Sequence, residues 1–266
     1  MNETQITYCH NDEVSNRILT FKNNETEHLI VFVAGWSSTP STWRYFLPVL
    51  QEKATVHYFE TREKAHTKYV LTSPSFDINA MSNDLVFYLN NLKKDYVLIG
   101  ASVGASVIIN SFNQLLNTPL CVVLLTPNSK IKIQSSLQVL RITPVKILRF
   151  VRPLILTLIN VFSFKADAHR IEGLVNAMNS AELATSKKSI IQLSSMNLLA
   201  KKPERLNIPA LIIATNKDSV HNSHDSILFQ ERLGADLIRF ETFTEAHSSR
   251  CAKQVIEWTN SKGVLS

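Results

Sequence analysis

Five short apolar runs set the frame for this chain. Leu29–Ala34 (LIVFVA), Thr55–Phe59 (TVHYF), Tyr96–Ile99 (YVLI), Leu120–Leu125 (LCVVLL) and Ala210–Ala214 (ALIIA) are rich in β-branched residues. Runs of strand length that stay apolar on both alternating faces suit strands covered on both sides, as in a parallel sheet. Leu237–Phe240 reads as one more strand at the sheet edge, and Ile6–Cys9 and Arg17–Phe21 as opening strands. Between these runs, Ser41–Glu52, Ile78–Lys93, Val103–Asn117, Ser223–Leu233 and Ser248–Asn260 place apolar residues at three- and four-residue spacing. Strand–helix alternation of this kind predicts an α/β domain with a mostly parallel, doubly wound sheet.

The alternation stops between Leu125 and Ala210. Ser129–Pro203 shows no strand pattern but several helical stretches, interrupted at Pro144 and Pro153 and ending at Pro203. The simplest organisation is a core built from residues 1–128 and 204–266, with residues 129–203 inserted as a helical cap. Sites in open α/β sheets lie beyond the carboxyl ends of strands. An insertion leaving such an end, after Leu125, is expected to cover the site.

Charge is concentrated in the same segment. The 266 residues carry a net charge of +6. Ser129–Pro203 holds twelve Lys and Arg against three acidic residues, a net of +9, while the remainder is −3. No Arg-rich tract, RNP-like aromatic pattern or helix-turn-helix signature accompanies it, so nucleic-acid binding is not expected. No stretch reaches the 18 or so uninterrupted apolar residues of a membrane span. The polar start, MNETQITYCHNDE, lacks a cationic-then-apolar layout, so export is not expected. Cys9, Cys121 and Cys251 lie far apart without C-x-x-C spacing. That pattern excludes a disulfide framework and a thiolate zinc site, and fits a reducing, cytoplasmic setting.

Glycine is scarce: six occur, where average usage of about 7% would give roughly 18. Two of the six bracket a serine in Gly100-Ala101-Ser102-Val103-Gly104, directly after YVLI and before a helical pattern. A strand turning sharply into a helix holds the serine in a strained conformation with its hydroxyl exposed. The residues two before and two after must then be small. Ser102 is therefore the candidate nucleophile.

A serine hydroxyl needs a base, and the base needs an orienting carboxylate. In the order Ser…Asp…His, each should follow a later strand. Asp218 follows ALIIA in Thr215-Asn216-Lys217-Asp218, with Asp225 the nearest substitute. His247 follows the last strand in Phe243-Thr244-Glu245-Ala246-His247-Ser248-Ser249. The oxyanion of a tetrahedral intermediate needs N–H donors. One is expected from Val103, the residue after the nucleophile. The other is expected from Trp36, in the loop Gly35-Trp36-Ser37-Ser38, where Gly35 permits close approach. Trp43 reads as a packing residue.

Taken together, these motifs resemble the α/β-hydrolase superfamily over nearly the whole chain. The strand-Gly-Trp-Ser-Ser-x-x-x-x-Trp pattern, G-A-S-V-G, the NKD turn and E-A-H-S-S fall in the family's order. The resemblance implies that Ser102 is nucleophile, Asp218 orienting acid and His247 base, and that the cap follows the sixth strand of the family sheet. Three features depart from the family. Its His-Gly is Ala34-Gly35 here, its histidine before the serine is Ala101, and its arginine-glycine-histidine-glycine turn is replaced by Glu60-Thr61-Arg62-Glu63-Lys64-Ala65-His66. None removes a catalytic atom.

The expected activity is cleavage of a small-molecule carboxylic ester or thioester through an acyl-enzyme, with no metal or cofactor. Two alternatives stay open: a lyase or cofactor-free peroxidase on the same triad, or a non-catalytic member that binds anionic surfaces. The segment 129–203 is apolar and basic together. It would suit acyl chains, an anionic lipid surface or an acidic acyl-carrier partner.

Overall fold

The computed structural model describes residues 4–131, 142–162, 182–217 and 223–265. In chain order these hold β1 (Thr4–His10), β2 (Val14–Phe21), β3 (Leu29–Val33), α1 (Leu47–Gln51), β4 (Thr55–Phe59) and β5 (Lys68–Tyr69). Next come α2 (Ile78–Asn90), β6 (Val97–Ala101), α3 (Val103–Ser111), β7 (Cys121–Leu125), α4 (Val145–Phe162) and α5 (Leu183–Leu193). The chain closes with β8 (Ala210–Lys217), α6 (Ser223–Leu233), β9 (Asp236–Thr242), α7 (Phe243–Ala246) and α8 (Ser249–Ser261).

Among the described residues the strands form one sheet in the order β1-β2-β4-β3-β6-β7-β8-β9, with β5 hydrogen-bonded to β2. The pairs at the β1–β2 end are antiparallel. Every neighbour pair from β4 to β9 is parallel. Their carboxyl ends therefore share one edge, and the loops that leave it can meet.

The apolar runs are covered on both faces because alternate residues feed two separate cores. Ile30, Phe32, Ile99, Val123 and Ile213 pack with Leu50 of α1 and Val255 of α8. Val31, Val33, Leu98, Val122 and Ile212 pack with Met81 of α2, Val107 of α3 and Phe229 of α6. This is the doubly wound arrangement that the uninterrupted runs predict.

Element boundaries differ from the sequence reading where backbone chemistry intervenes. The single helix expected over Ser41–Glu52 is a 3-10 turn, Pro40–Trp43, followed by the short α1. Pro48 sits in the first turn of α1, where its missing N–H costs nothing, but no helix can run through it from upstream. The helix expected over Val103–Asn117 ends as α at Ser111 and tightens into a 3-10 turn, Phe112–Gln114.

Between β7 and β8 the described residues contain helices and no strand. α4 exposes Phe150 (86%) and Ile147 (50%), and Ile142 just before it is exposed as well. α5 is tied to the sheet's site edge. Ser189 Oγ accepts from the Trp36 indole at 2.8 Å, and Thr185 Oγ1 donates to the Glu63 carbonyl at 3.3 Å. Among the described residues no helix is long and apolar enough to cross a membrane.

Candidate active site

Ser102 stands at the carboxyl end of β6, between the strand and α3, with φ 52° and ψ −114°. Such a conformation costs a non-glycine residue on the order of 1–3 kcal/mol and persists only where the surroundings over-determine it. They do so here through missing side chains. A Cβ on Gly104 would lie 2.2 Å from the Val33 carbonyl oxygen, and one on Gly100 2.5 Å from Ile108 Cδ1. The Ser102 N–H donates to the Leu125 carbonyl at 2.8 Å, and its carbonyl accepts from the Ser106 N–H at 3.1 Å. The turn is thus clamped to β3, β7 and α3 at once.

The sequence reading missed a residue that touches the hydroxyl. Asn128, in the loop leaving β7, donates from Nδ2 to Ser102 Oγ at 3.1 Å. Its backbone is fixed to α3 by Ser106, whose hydroxyl donates to the Asn128 carbonyl at 2.8 Å. The available signal was positional: Asn128 follows the carboxyl end of the strand beside the serine's own.

His247 lies on the same edge, beyond β9, in the junction between α7 and α8. Both flanking helices are capped. Thr242 and Glu245 form a capping box on α7, and the Ser248 side chain accepts from the Cys251 N–H on α8. His247 Nδ1 lies 2.9 Å from the Phe243 carbonyl oxygen, an acceptor only. A neutral ring that donates in this contact carries its proton on Nδ1, with Nε2 as its basic nitrogen. The imidazole is buried and stacks on Trp43 with centroids 4.1 Å apart. Trp43 is a core residue, as the sequence implies, and also a wall for the histidine.

The segment after β3 has residues near each of the two places. Trp43 Nε1 donates to Ser38 Oγ at 2.7 Å. A Cβ on Gly35 would meet Ser38 Cβ at 3.7 Å and Ser102 Cβ at 3.5 Å. The structure thus brings the Gly35–Trp36 loop against the Ser102–Val103 turn, and His247 packs on Trp43, which is bonded to Ser38 of the same loop. Asp218 lies outside the described residues, just past the end of β8. Asp225 Oδ2 accepts from the Ser129 N–H at 2.8 Å and from the Ser129 hydroxyl at 2.5 Å.

The backbone N–H groups of Trp36 and Val103 meet no acceptor among the described residues. Under the loop that carries Trp36 lies a second group the sequence reading passed over. Lys64 Nζ donates to the Gly35 carbonyl at 2.5 Å and pairs with Glu63 Oε1 at 3.0 Å. The same Glu63 oxygen accepts from Thr61 Oγ1 at 2.9 Å and from the Ser37 N–H at 3.4 Å. Ser37 is itself in the left-handed region, at φ 53°.

Among the described residues no group of three or more His, Cys, Asp or Glu is placed to hold a metal ion. The cysteines are free, and burial raises the thiol of Cys9 to about 11 and that of Cys121 to about 12. Neither thiol has the low-pKa setting of a nucleophile.

The parallel sheet, the strand–serine–helix turn and the histidine after the last strand define an α/β-hydrolase fold. Solved structures place the chain among particular neighbours. The enol-lactonase from Burkholderia xenovorans LB400 superposes with TM-score 0.75 at 15% identity, over 96% of this chain and 100% of its own. A thermophilic esterase from Thermogutta terrifontis gives 0.73 at 14%, over 97% and 99%. A hydrolase from Pseudomonas aeruginosa PA01 gives 0.72 at 16%, over 95% and 97%. No protein-family model and no curated protein matches the chain by sequence.

Proposed function

We propose that this protein is a serine hydrolase that cleaves a carboxylic ester or thioester. The observation that carries the reading is Ser102 at φ 52° at the carboxyl end of β6, with the Trp36 and Val103 N–H groups meeting no acceptor among the described residues. In this reading Ser102 attacks the substrate carbonyl while His247 Nε2 takes its proton. Asp218 orients the imidazole and stabilises the imidazolium. The Trp36 and Val103 N–H groups hold the oxyanion. The alcohol or thiol leaves with the proton from His247, and water repeats the sequence to release the acid. The names of the structural neighbours, a lactonase, an esterase and a hydrolase, agree with acyl transfer to water.

The test is a fluorophosphonate probe combined with p-nitrophenyl esters of increasing chain length. Labelling at Ser102, lost in His247→Ala, is the expected result. Turnover that persists in Ser102→Ala would overturn it.

The segment 129–203 completes the reading as a cap, in which the basic, apolar start of α4 meets anionic lipid. Its support is α4, where exposed Phe150 and Ile147 alternate with exposed Lys146 and Arg149. Vesicles containing phosphatidylserine should bind Ser102→Ala as well as the parent, and Phe150→Ser with Ile147→Ser should release both.

A further inference from the structure

We propose that Lys64 is a positioning residue of the oxyanion hole, setting the direction and donor strength of the Trp36 N–H through the Gly35 carbonyl. The inference rests on the reading of Trp36 as an oxyanion donor. The Gly35 carbonyl and the Trp36 N–H belong to one peptide unit. In a trans peptide they point in opposite directions, and the chain contains no cis peptide among its described residues. A cation gripping the oxygen from one side therefore fixes where the hydrogen points on the other.

It also changes what that hydrogen can do. Peptide resonance moves electron density from nitrogen to oxygen. An ammonium 2.5 Å from the oxygen favours that shift and leaves the N–H more positive. Lys64 is buried, so the effect acts in a medium of low polarity, where water screens it little.

Glu63 makes this arrangement tenable and extends it. Its carboxylate lies 3.0 Å from the ammonium and neutralises it. It also accepts the Ser37 N–H, which belongs to the next peptide unit along. The ion pair thus holds the peptide before Trp36 by its oxygen and the peptide after Trp36 by its nitrogen. The strained Ser37 backbone and the Trp36 indole bonded to Ser189 complete the restraint. Glu63 Oε2 meets no donor among the described residues. A buried pair left this incompletely satisfied is a poor device for stability. The loop it grips gives it a reason to exist.

The experiment compares the full chain with Lys64→Met and Lys64→Gln, using a p-nitrophenyl ester and a trifluoromethyl ketone whose adduct carries the oxyanion. The expected result for Lys64→Met is a fall in kcat of about 10- to 100-fold with KM little changed. That is less than the loss from deleting an oxyanion donor outright. The ketone's affinity should fall in parallel, and Lys64→Gln, which keeps a neutral donor, should lie between. If Lys64→Met does not fold by thermal melting, Glu63→Gln/Lys64→Met removes both charges together, and the same kcat and ketone measurements decide. A folded variant with parental kcat and ketone affinity would overturn the proposal while leaving the Ser102 reading intact. Failure of the parent to hydrolyse esters or to label at Ser102 would overturn both.

Discussion

Two turns leave the sheet on either side of the loop that carries Trp36, and they are built on opposite principles. Gly100–Gly104 leaves β6 and is held by the absence of side chains. The backbone passes so close to β3 and α3 that no Cβ fits at Gly100 or Gly104. Glu60–Lys64 leaves β4 and is held by charges. Arg17 makes two bonds to the Glu60 carboxylate at 2.7 and 2.8 Å, and Arg62 makes two to Asp84 at the same distances. Arg62 and Asp84 are each 1% exposed. Burial pushes the Asp84 carboxyl above its ordinary range, against the pull of Arg62 and Asn11. The contrast follows from what each turn adjoins. A strand running straight into a helix can be fixed by close packing. A turn with no helix behind it has loose polar groups, and here they are fixed by one another.

Each turn should therefore break in its own way. The largest effect is expected from Gly104→Ala. Its Cβ would enter the van der Waals radius of a backbone oxygen that cannot move without displacing β3. A loss of about 5 kcal/mol, or outright failure to fold, should appear in denaturant melts. Arg62→Met should cost somewhat less, about 3–4 kcal/mol, because it leaves the Asp84 carboxylate buried without its cation. Pairing it with Asp84→Leu should recover most of that loss. No second substitution at a neighbouring side chain should rescue Gly104→Ala. Recovery of the glycine variant, or none of the charged one, would erase the contrast.

The two turns also differ in how far the amino-acid sequence reveals them. The strand runs and the glycine-bracketed serine are local patterns: the physical requirement and the residues that meet it lie within five positions. Ser102, Val103 and Gly35 were legible for that reason, as was the placement of His247 after the last strand. Glu60-Thr61-Arg62-Glu63-Lys64 reads locally as a solvated polar turn. Its burial depends on Arg17, Asp84 and the Gly35 carbonyl, which come from other elements. Asn128 was illegible likewise, since an asparagine after a strand is ordinary until its amide is seen on the Ser102 hydroxyl. The break in the helix expected over Ser41–Glu52 was legible at Pro48 and was overlooked.

The strand feeding the charged turn adds a pH dependence that the glycine turn lacks. His57 on β4 is held at about 4 by burial first and by the Lys94 charge second, against an ordinary 6.5. Its Nδ1 lies 2.6 Å from the Tyr88 hydroxyl. Below pH 6.5 the unfolded chain takes up the proton that the folded one refuses. Stability from this group is therefore complete above pH 6.5 and falls as pH drops toward 4, by up to about 3 kcal/mol. Urea melts across that window should show the fall, and His57→Gln should flatten it. A parental slope in the variant would assign the acid sensitivity to other groups.

The smallest effect tests where the two kinds of turn meet the chemistry. Asn128 holds the Ser102 hydroxyl from the β7 side by one neutral hydrogen bond, while the glycine turn holds its backbone. If shape alone presents the hydroxyl, Asn128→Ala should leave kcat untouched. The bond is donated to the oxygen that the proposed reading makes the nucleophile, however, and leaves that oxygen's own proton available to a base. Losing it removes one restraint on the Ser102 side chain and widens the rotamers it samples. A fall in kcat of about tenfold, equivalent to about 1.4 kcal/mol, is therefore expected, with the melting transition little changed. Asn128→Asp provides the sharper arm. A carboxylate cannot donate to the Ser102 oxygen and would place negative charge beside it. Its loss should exceed that of Asn128→Ala at neutral pH and shrink on acidification as the carboxyl regains a proton. Equal activity in the two variants at every pH would mean that the contact is packing, and that the glycine turn orients Ser102 unaided.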